Sequence, residues 1–178
     1  MLVNEADLEV GFATKQSCHD GDGLLHRAFS VFLFSPTGDV LLQQRSAHKR
    51  LWPGAWSTTC CSHPRCGETL DVAVRRRLRE ELGVEAEVEF LFKFQYHARY
   101  DGGGAEHELC HVYAGLLKGT VTVNPNEIAE TRMMRADVLD RELEALPGLY
   151  SPWLKLEWTR LRTDSWPSVR KIIAASGY

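Results

Sequence analysis

Apolar positions along the chain fall into blocks with different periods. Arg27-Ala28-Phe29-Ser30-Val31-Phe32-Leu33-Phe34 is dense in β-formers and runs into Ser35-Pro36-Thr37-Gly38-Asp39, a turn signal. Val40-Leu41-Leu42-Gln43-Gln44 then reads as the return strand of a hairpin. From Thr69 to Leu82 the period changes. Leu70, Val74, Leu78 and Leu82 recur every fourth residue and Gly83 follows as a stop signal, which predicts a helix. Val84 to Phe94 is strand-like and ends near Gln95-Tyr96-His97; Asp101-Gly102-Gly103-Gly104 reads as a loop; Leu109 to Leu117 is another strand. Helices are expected over Asp137–Leu146, Trp153–Arg162 and Pro167–Ala175. Strands first, one embedded helix and helices at the end predict a mixed α/β (α+β) sandwich.

The chain has 178 residues, an ordinary single domain's length, and no Pro/Gly/Ser linker or repeat divides it. Apolar residues make up 44% and charged residues 25%, values typical of a globular protein rather than a disordered chain or a fibre. The formal net charge is −3, from 21 basic and 24 acidic side chains. Binding to a phosphate backbone normally leaves a marked basic excess, so nucleic acid is not the expected partner and a small-molecule site moves up. The first residues are acidic, with no basic segment leading into an apolar run, and the longest apolar stretch is too short to span a bilayer. A cytoplasmic location is expected, with no membrane partner. In a reducing compartment the five cysteines, Cys18, Cys60, Cys61, Cys66 and Cys110, are free, metal-bound or catalytic.

Chemistry concentrates in three stretches: Cys18-His19 with His26, the run Cys60-Cys61-Ser62-His63-Pro64-Arg65-Cys66, and Glu106-His107-Glu108. On a strand, Glu106 and Glu108 share one face and His107 takes the other. Adjacent carboxylates repel and need a compensating cation, and imidazoles with carboxylates suit Mn²⁺, Zn²⁺ or Fe²⁺ better than Ca²⁺. The competing reading is a structural zinc site of Cys60, Cys61, His63 and Cys66, whose spacing matches no usual zinc pattern. Within the helix, Arg77 and Glu81 lie one turn apart beside the apolar stripe. They read either as an ordinary surface pair or as groups aimed into a site, Glu81 toward Mg²⁺ and Arg77 toward a phosphate.

From Ser62 the sequence runs Ser-x5-Glu68-x7-Arg76-Arg77-Leu78-x-Glu80-Glu81-x-Gly83-Val84. This resembles the Nudix box, with Ser62 in place of its opening Gly and Arg77 in place of a Glu used as a Mg²⁺ ligand. Ordinary diphosphate hydrolysis is thereby put in doubt. Leu51-Trp52-Pro53-Gly54-Ala55-Trp56, Ser57 to Pro64, His26 to Ser30, Tyr96 ahead of Glu106-His107-Glu108, and Tyr150-Ser151-Pro152-Trp153 together resemble the type 1 isopentenyl-diphosphate Δ-isomerases over roughly Val10 to Trp158.

The resemblance implies a single Nudix-like domain over 1–178. Its N-terminal segment, about 1–27, would contribute metal ligands, and its helices, about 137–175, would pack on the core. It implies a metal site of His19, His26, His63, Glu106 and Glu108, holding Mn²⁺ or Zn²⁺. It also implies Cys61 as catalytic cysteine, Glu108 as catalytic glutamate with Tyr96 beside it, and Glu81 as the carboxylate associated with a diphosphate-bound Mg²⁺. Lys15, Arg45, Lys49 and Arg77 match diphosphate-binding cations, and Trp153 an indole at the hydrocarbon end. Read without the resemblance, Tyr96 and Trp153 suit a core, and the three residues Lys15, Arg45 and Lys49 a solvated surface. The implied activity interconverts isopentenyl and dimethylallyl diphosphate, as a monomer. The alternatives are a Nudix hydrolase of a nucleoside diphosphate derivative and a non-catalytic, metal-stabilised binding module.

Overall fold

A computed structural model describes residues 1–175; the last three residues of the expected 1–178 domain lie outside the described residues. Nine strands join in one sheet: β1 (Leu2–Val3), β2 (Glu9–Gly11), β3 (His26–Phe34), β4 (Val40–Arg45), β5 (Trp56–Ser57), β6 (Cys60–Ser62), β7 (Val88–Arg99), β8 (Ala105–Leu116) and β9 (Ile128–Met134). The sheet is mixed, because β3 runs parallel to β8 and antiparallel to β4 and β6. Among the described residues, five α-helices accompany it: α1 (Lys15–His19), α2 (Leu70–Leu82), α3 (Ala136–Ala145), α4 (Pro152–Arg160) and α5 (Trp166–Ala174).

Strand β3 is buried on both faces, which is why it reads as a nearly continuous apolar run. Phe29, Val31 and Leu33 pack with Ala73, Val74, Leu78 and Leu82 of α2. Ala28, Phe32 and Phe34 face the opposite way, against Trp153, Leu154 and Trp158 of α4 and Val169 of α5. This is the expected sandwich, with the sheet held between α2 and the C-terminal helices. The apolar stripe of α2 thus faces the core. Thr69 caps its start by accepting from Val72 N, and Gly83 ends it at φ 66°, a conformation that costs glycine little.

Several boundaries differ from the expected ones. β7 starts at Val88 rather than Val84, because the Val84 amide donates to Leu78 O and its side chain packs under α2. It then continues past Phe94 to Arg99, paired with β8 throughout. β8 begins at Ala105, four residues before Leu109, and so carries the Glu106–Glu108 stretch on a strand. The last two helices are joined through a π-helical turn, Leu161–Ser165, instead of being separated. β9 pairs with β4 although its sequence, Ile-Ala-Glu-Thr-Arg-Met-Met, carries no clear strand signal. No described helix is long and apolar enough to cross a membrane.

Candidate active site

Sheet register assembles the site. The parallel pairing of β3 with β8 sets His26 opposite Glu108, and the antiparallel pairing of β7 with β8 sets Tyr96 opposite the same Glu108. β6 lays Cys61 beside Ser30 of β3. Alternation along β8 turns Glu106 and Glu108 to one face, each 7% exposed, while His107 Nε2 lies 3.2 Å from the Gln95 amide nitrogen, which donates to it. Helix α1, capped by Thr14 accepting from Ser17 N at 3.1 Å, carries Lys15 and His19 one turn apart.

His19, His26, His63, Glu106 and Glu108 each offer a ligand atom, and these atoms all lie within 4.8 Å of one another. The outer ring nitrogens fix the tautomers. His19 Nδ1 lies 2.5 Å from Lys15 O and His26 Nδ1 2.7 Å from Leu24 O. A carbonyl only accepts, so both Nδ1 atoms carry protons and both rings aim Nε2 inward. His63 Nε2 sits 2.8 Å from Glu108 Oε1, and His19 Nε2 2.9 Å from Glu106 Oε2. Even so, His26 Nε2 is buried without a hydrogen-bond partner, and Glu106 Oε2 meets only that His19 nitrogen, without hydrogen-bond geometry. Such orphans are expensive unless something else meets them. A three-nitrogen, two-carboxylate set with inward-facing orphans fits a divalent transition metal. Burial, and then the neighbouring His63, lowers the His26 imidazole to about 4, and burial takes His63 well below its ordinary range. Both therefore stay neutral, the form that binds a metal. Burial also opposes charge on His19, but Glu106 outweighs it and raises that imidazole.

The cysteine cluster does not form a centre. Cys60 is buried in the α2 core, Cys66 is exposed, and only Cys61 reaches the cavity. That cavity, about 430 Å³, is lined by Lys15, His19, Arg45, Lys49, Cys61, His63, Arg77, Tyr96, Glu106, Glu108 and Trp153, with His48, Asn126 and Glu127.

Cys61 Sγ lies 3.9 Å from Ser57 Oγ and 4.0 Å from Arg45 Nη1. Burial pushes its thiol up to about 11, against the pull of Arg45, so the resting side chain holds its proton. Tyr96 donates its hydroxyl to Glu108 Oε2 at 2.7 Å, and burial, then Glu108, raises the phenol well above its ordinary value. Trp153 donates Nε1 to Ser57 Oγ at 2.9 Å, and Trp52 meets it edge-on at 5.3 Å. The Arg45 guanidinium stands 5.0 Å over its ring and binds the carbonyls of Leu51 and Trp52. Trp52 is held at φ 46°, an uncommon value for a non-glycine residue.

One expected group stands apart. Glu81 is 1% exposed, outside both the histidine–glutamate cluster and the cavity wall, and its Oε1 is taken by Arg77. The surroundings of Glu81 thus do not by themselves form a cation site. The pair is buried rather than a surface pair. Glu127, at the cavity wall, carried no sequence signal: it precedes an unrecognised strand and belongs to no motif. Arg76 holds Glu68 at 2.7 and 2.8 Å and keeps its carboxyl near 2, far below the usual range.

A mixed sheet between helices, an Arg/Glu-rich helix ending in Gly83 and a metal-capable cavity define a Nudix-type protein, and a NUDIX domain matches residues 24–155. Among solved structures, DR0079 of Deinococcus radiodurans covers 89% of this chain and 96% of its own, with TM-score 0.73 and 25% identity. The MutT protein of Methanosarcina mazei Go1 shares the fold at TM-score 0.66 and 15% identity, over 79% of this chain and 95% of its own. Isopentenyl-diphosphate Delta-isomerase 1 of Photorhabdus laumondii is 41% identical over 160 residues, 89% of this chain and 91% of the relative. The Nocardia farcinica Isopentenyl-diphosphate Delta-isomerase is 44% identical over 154 residues, 86% and 88% of the two. The chain belongs to this isomerase family within the NUDIX proteins.

Proposed function

We propose that this protein interconverts isopentenyl diphosphate and dimethylallyl diphosphate. The observation that carries the reading is the cavity itself. Two proton-handling groups on different strands, Cys61 on β6 and the Tyr96–Glu108 pair on β7 and β8, line one wall-to-wall pocket with cations and an indole. Moving a double bond requires one carbon to gain a proton and a neighbour to lose one, with water kept from the cation between them.

In the forward direction the Tyr96–Glu108 side delivers a proton to the terminal alkene carbon, and Cys61 takes one from C2. This direction starts from the thiolate, which Arg45 at 4.0 Å stabilises. The reverse starts from the thiol that burial favours. Trp153, oriented by Ser57, presents an aromatic surface to the hydrocarbon end; a π face stabilises a nearby cation by about 0.5–2 kcal/mol. Lys15, Arg45, Lys49 and Arg77 gather at the same cavity and suit the diphosphate.

His19, His26, His63, Glu106 and Glu108 would hold a divalent metal, Mn²⁺ or Zn²⁺ by donor set. Bound there, it would supply fixed geometry and altered acidity at the Glu108 carboxyl. Glu81, whose Oε1 meets Arg77, would be the carboxylate associated with a diphosphate-bound Mg²⁺. We assign the chain one domain, with the N-terminal segment giving His19 and His26 and helices α3–α5 backing the core, working as a cytoplasmic monomer without nucleic acid or membrane partners.

The hydrolase alternative is disfavoured because the Nudix-box carboxylates Glu68, Glu80 and Glu81 are all paired with Arg76 or Arg77. Incubation of the metal-loaded protein with isopentenyl diphosphate and Mg²⁺ in D₂O, followed by NMR, tests the reading. Deuterated dimethylallyl diphosphate is expected. Phosphate release without isomerisation would indicate the hydrolase, and no turnover would leave a binding module.

A further inference from the structure

Two of the four cations at this end of the cavity, Lys49 and Arg77, are already paired with acids from within. Glu127 Oε2 pairs with Lys49 Nζ, and Glu127 Oε1 lies 3.0 Å from Arg77 Nη2. Arg77 also donates Nε to Glu81 at 2.9 Å, Nη2 to Glu81, and Nη1 to Glu80 at 3.0 Å. A guanidinium has five N–H donors, and these four contacts leave Arg77 nearly saturated before any substrate arrives. The two cations are largely covered, with side chains 17% and 14% exposed, so their attraction to Glu127 is poorly screened. Lys49, and then Arg77, contribute to holding the Glu127 carboxyl near 2 against the opposing effect of burial.

The backbone explains why this carboxylate stays in place. Glu127 O accepts from Ser46 N and Glu127 N donates to Asn124 O, both at 3.0 Å, while Asn124 N donates to Glu81 O at 2.8 Å. Glu127 is therefore pinned where the β4 end, the α2 end and the β9 start meet. These main-chain bonds do not involve its side chain.

We propose that Glu127 is the internal counter-anion of the diphosphate subsite, from which an incoming diphosphate takes Lys49. The inference rests on the reading that a diphosphate enters at this end. A substrate and a product that carry the same diphosphate are bound equally by this end of the cavity. Such uniform binding does not speed the chemistry and slows release when it is too tight. A fixed carboxylate beside the cations weakens both complexes alike and shortens the residence of the product.

The test is calorimetric titration of the metal-loaded protein with inorganic pyrophosphate and Mg²⁺, comparing wild type with Glu127→Gln. The amide keeps the shape and removes the charge. We expect the variant to bind pyrophosphate roughly tenfold more tightly, since it no longer opposes the anion with a like charge. KM for isopentenyl diphosphate should fall in parallel. Unchanged or weaker binding by the variant overturns the counter-anion, and weaker binding would show that Glu127 orders the cations instead. Wild-type protein that does not bind pyrophosphate at all overturns the diphosphate reading together with it. A wild-type crystal structure with pyrophosphate bound supplies a check independent of how the variant folds. Lys49 should have left Glu127 for a phosphate oxygen, and an intact Lys49–Glu127 pair beside bound pyrophosphate overturns the proposal.

Discussion

Glu157 gives the sharpest physical prediction because it is a buried acid with little support. It lies on α4 one turn beyond Trp153 and is 0% exposed. Its Oε1 accepts from Cys110 Sγ at 3.4 Å, while its Oε2 has no partner. Burial pushes its carboxyl up to about 8, with the charge of Glu108 adding to the effect and contacts from Ser30 and Cys110 opposing it. The folded protein therefore keeps a proton that the unfolded chain releases near pH 4.3, roughly the ordinary glutamate value. Between those two values the unfolded state binds fewer protons, so stability falls as pH rises, by up to about 1.4 kcal/mol per pH unit. The full effect is of order 5 kcal/mol and levels off above the folded value.

Glu157→Gln removes the titration. Its amide leaves an unpaired donor where Oε2 was, which costs about 1–3 kcal/mol at every pH but does not change the slope. Urea unfolding at matched metal loading, at pH 5.5 and 7.5, is the assay. The difference in stability between variant and wild type should move in the variant's favour by about 2–3 kcal/mol across that interval. Groups common to both proteins cancel in the comparison. Parallel stability curves would mean that Glu157 is already ionised in the folded protein, and the burial argument would fail.

Other perturbations address separate parts of the structure. Ser57→Ala should cost about 1–3 kcal/mol in urea unfolding by stranding the Trp153 indole donor, and should raise KM as the ring loses its anchor. Asp7→Asn keeps a residue tolerant of φ 65° but removes the carboxylate that meets Arg27, Lys93 and His111. Because those partners outweigh burial and hold Asp7 below its ordinary value, wild type should be the more stable at neutral pH, and the difference should vanish as pH falls through the folded value. Chelation should abolish turnover and lower the melting temperature, and His26→Ala should reduce bound metal measured by atomic absorption; unchanged occupancy would count against the five-residue site.

The central layers of this fold are legible in the sequence because their periods are set by burial. β3 is apolar on both faces, and α2 carries an every-fourth-residue stripe between Thr69 and Gly83. The alternation of Glu106 and Glu108 announces a shared face once the segment is on a strand. What escaped the sequence depends on tertiary neighbours. β9 forms by pairing with β4, despite half-polar side chains. Glu127 acquires meaning only where Lys49, Arg77 and Ser46 converge on it from two other elements. Glu157 did leave a trace, since it follows Trp153 by four residues and so shares its helix face, but a glutamate there reads as solvated until α4 is packed on the sheet. Arg77 and Glu81 were correctly spaced to meet. Their burial, and the meeting of Arg77 with Glu81 Oε1, follow from the packing of α2.

The claim at the centre is that Cys61 and the Tyr96–Glu108 pair handle the two protons of the allylic shift. Its most direct test is the turnover of isopentenyl diphosphate by Cys61→Ala, with melting temperature and metal content measured on the same sample. Loss of a proton-transfer group should lower turnover by roughly a thousandfold or more while fold and metal are retained. Turnover within tenfold of wild type in that metal-loaded variant would contradict the assignment of Cys61.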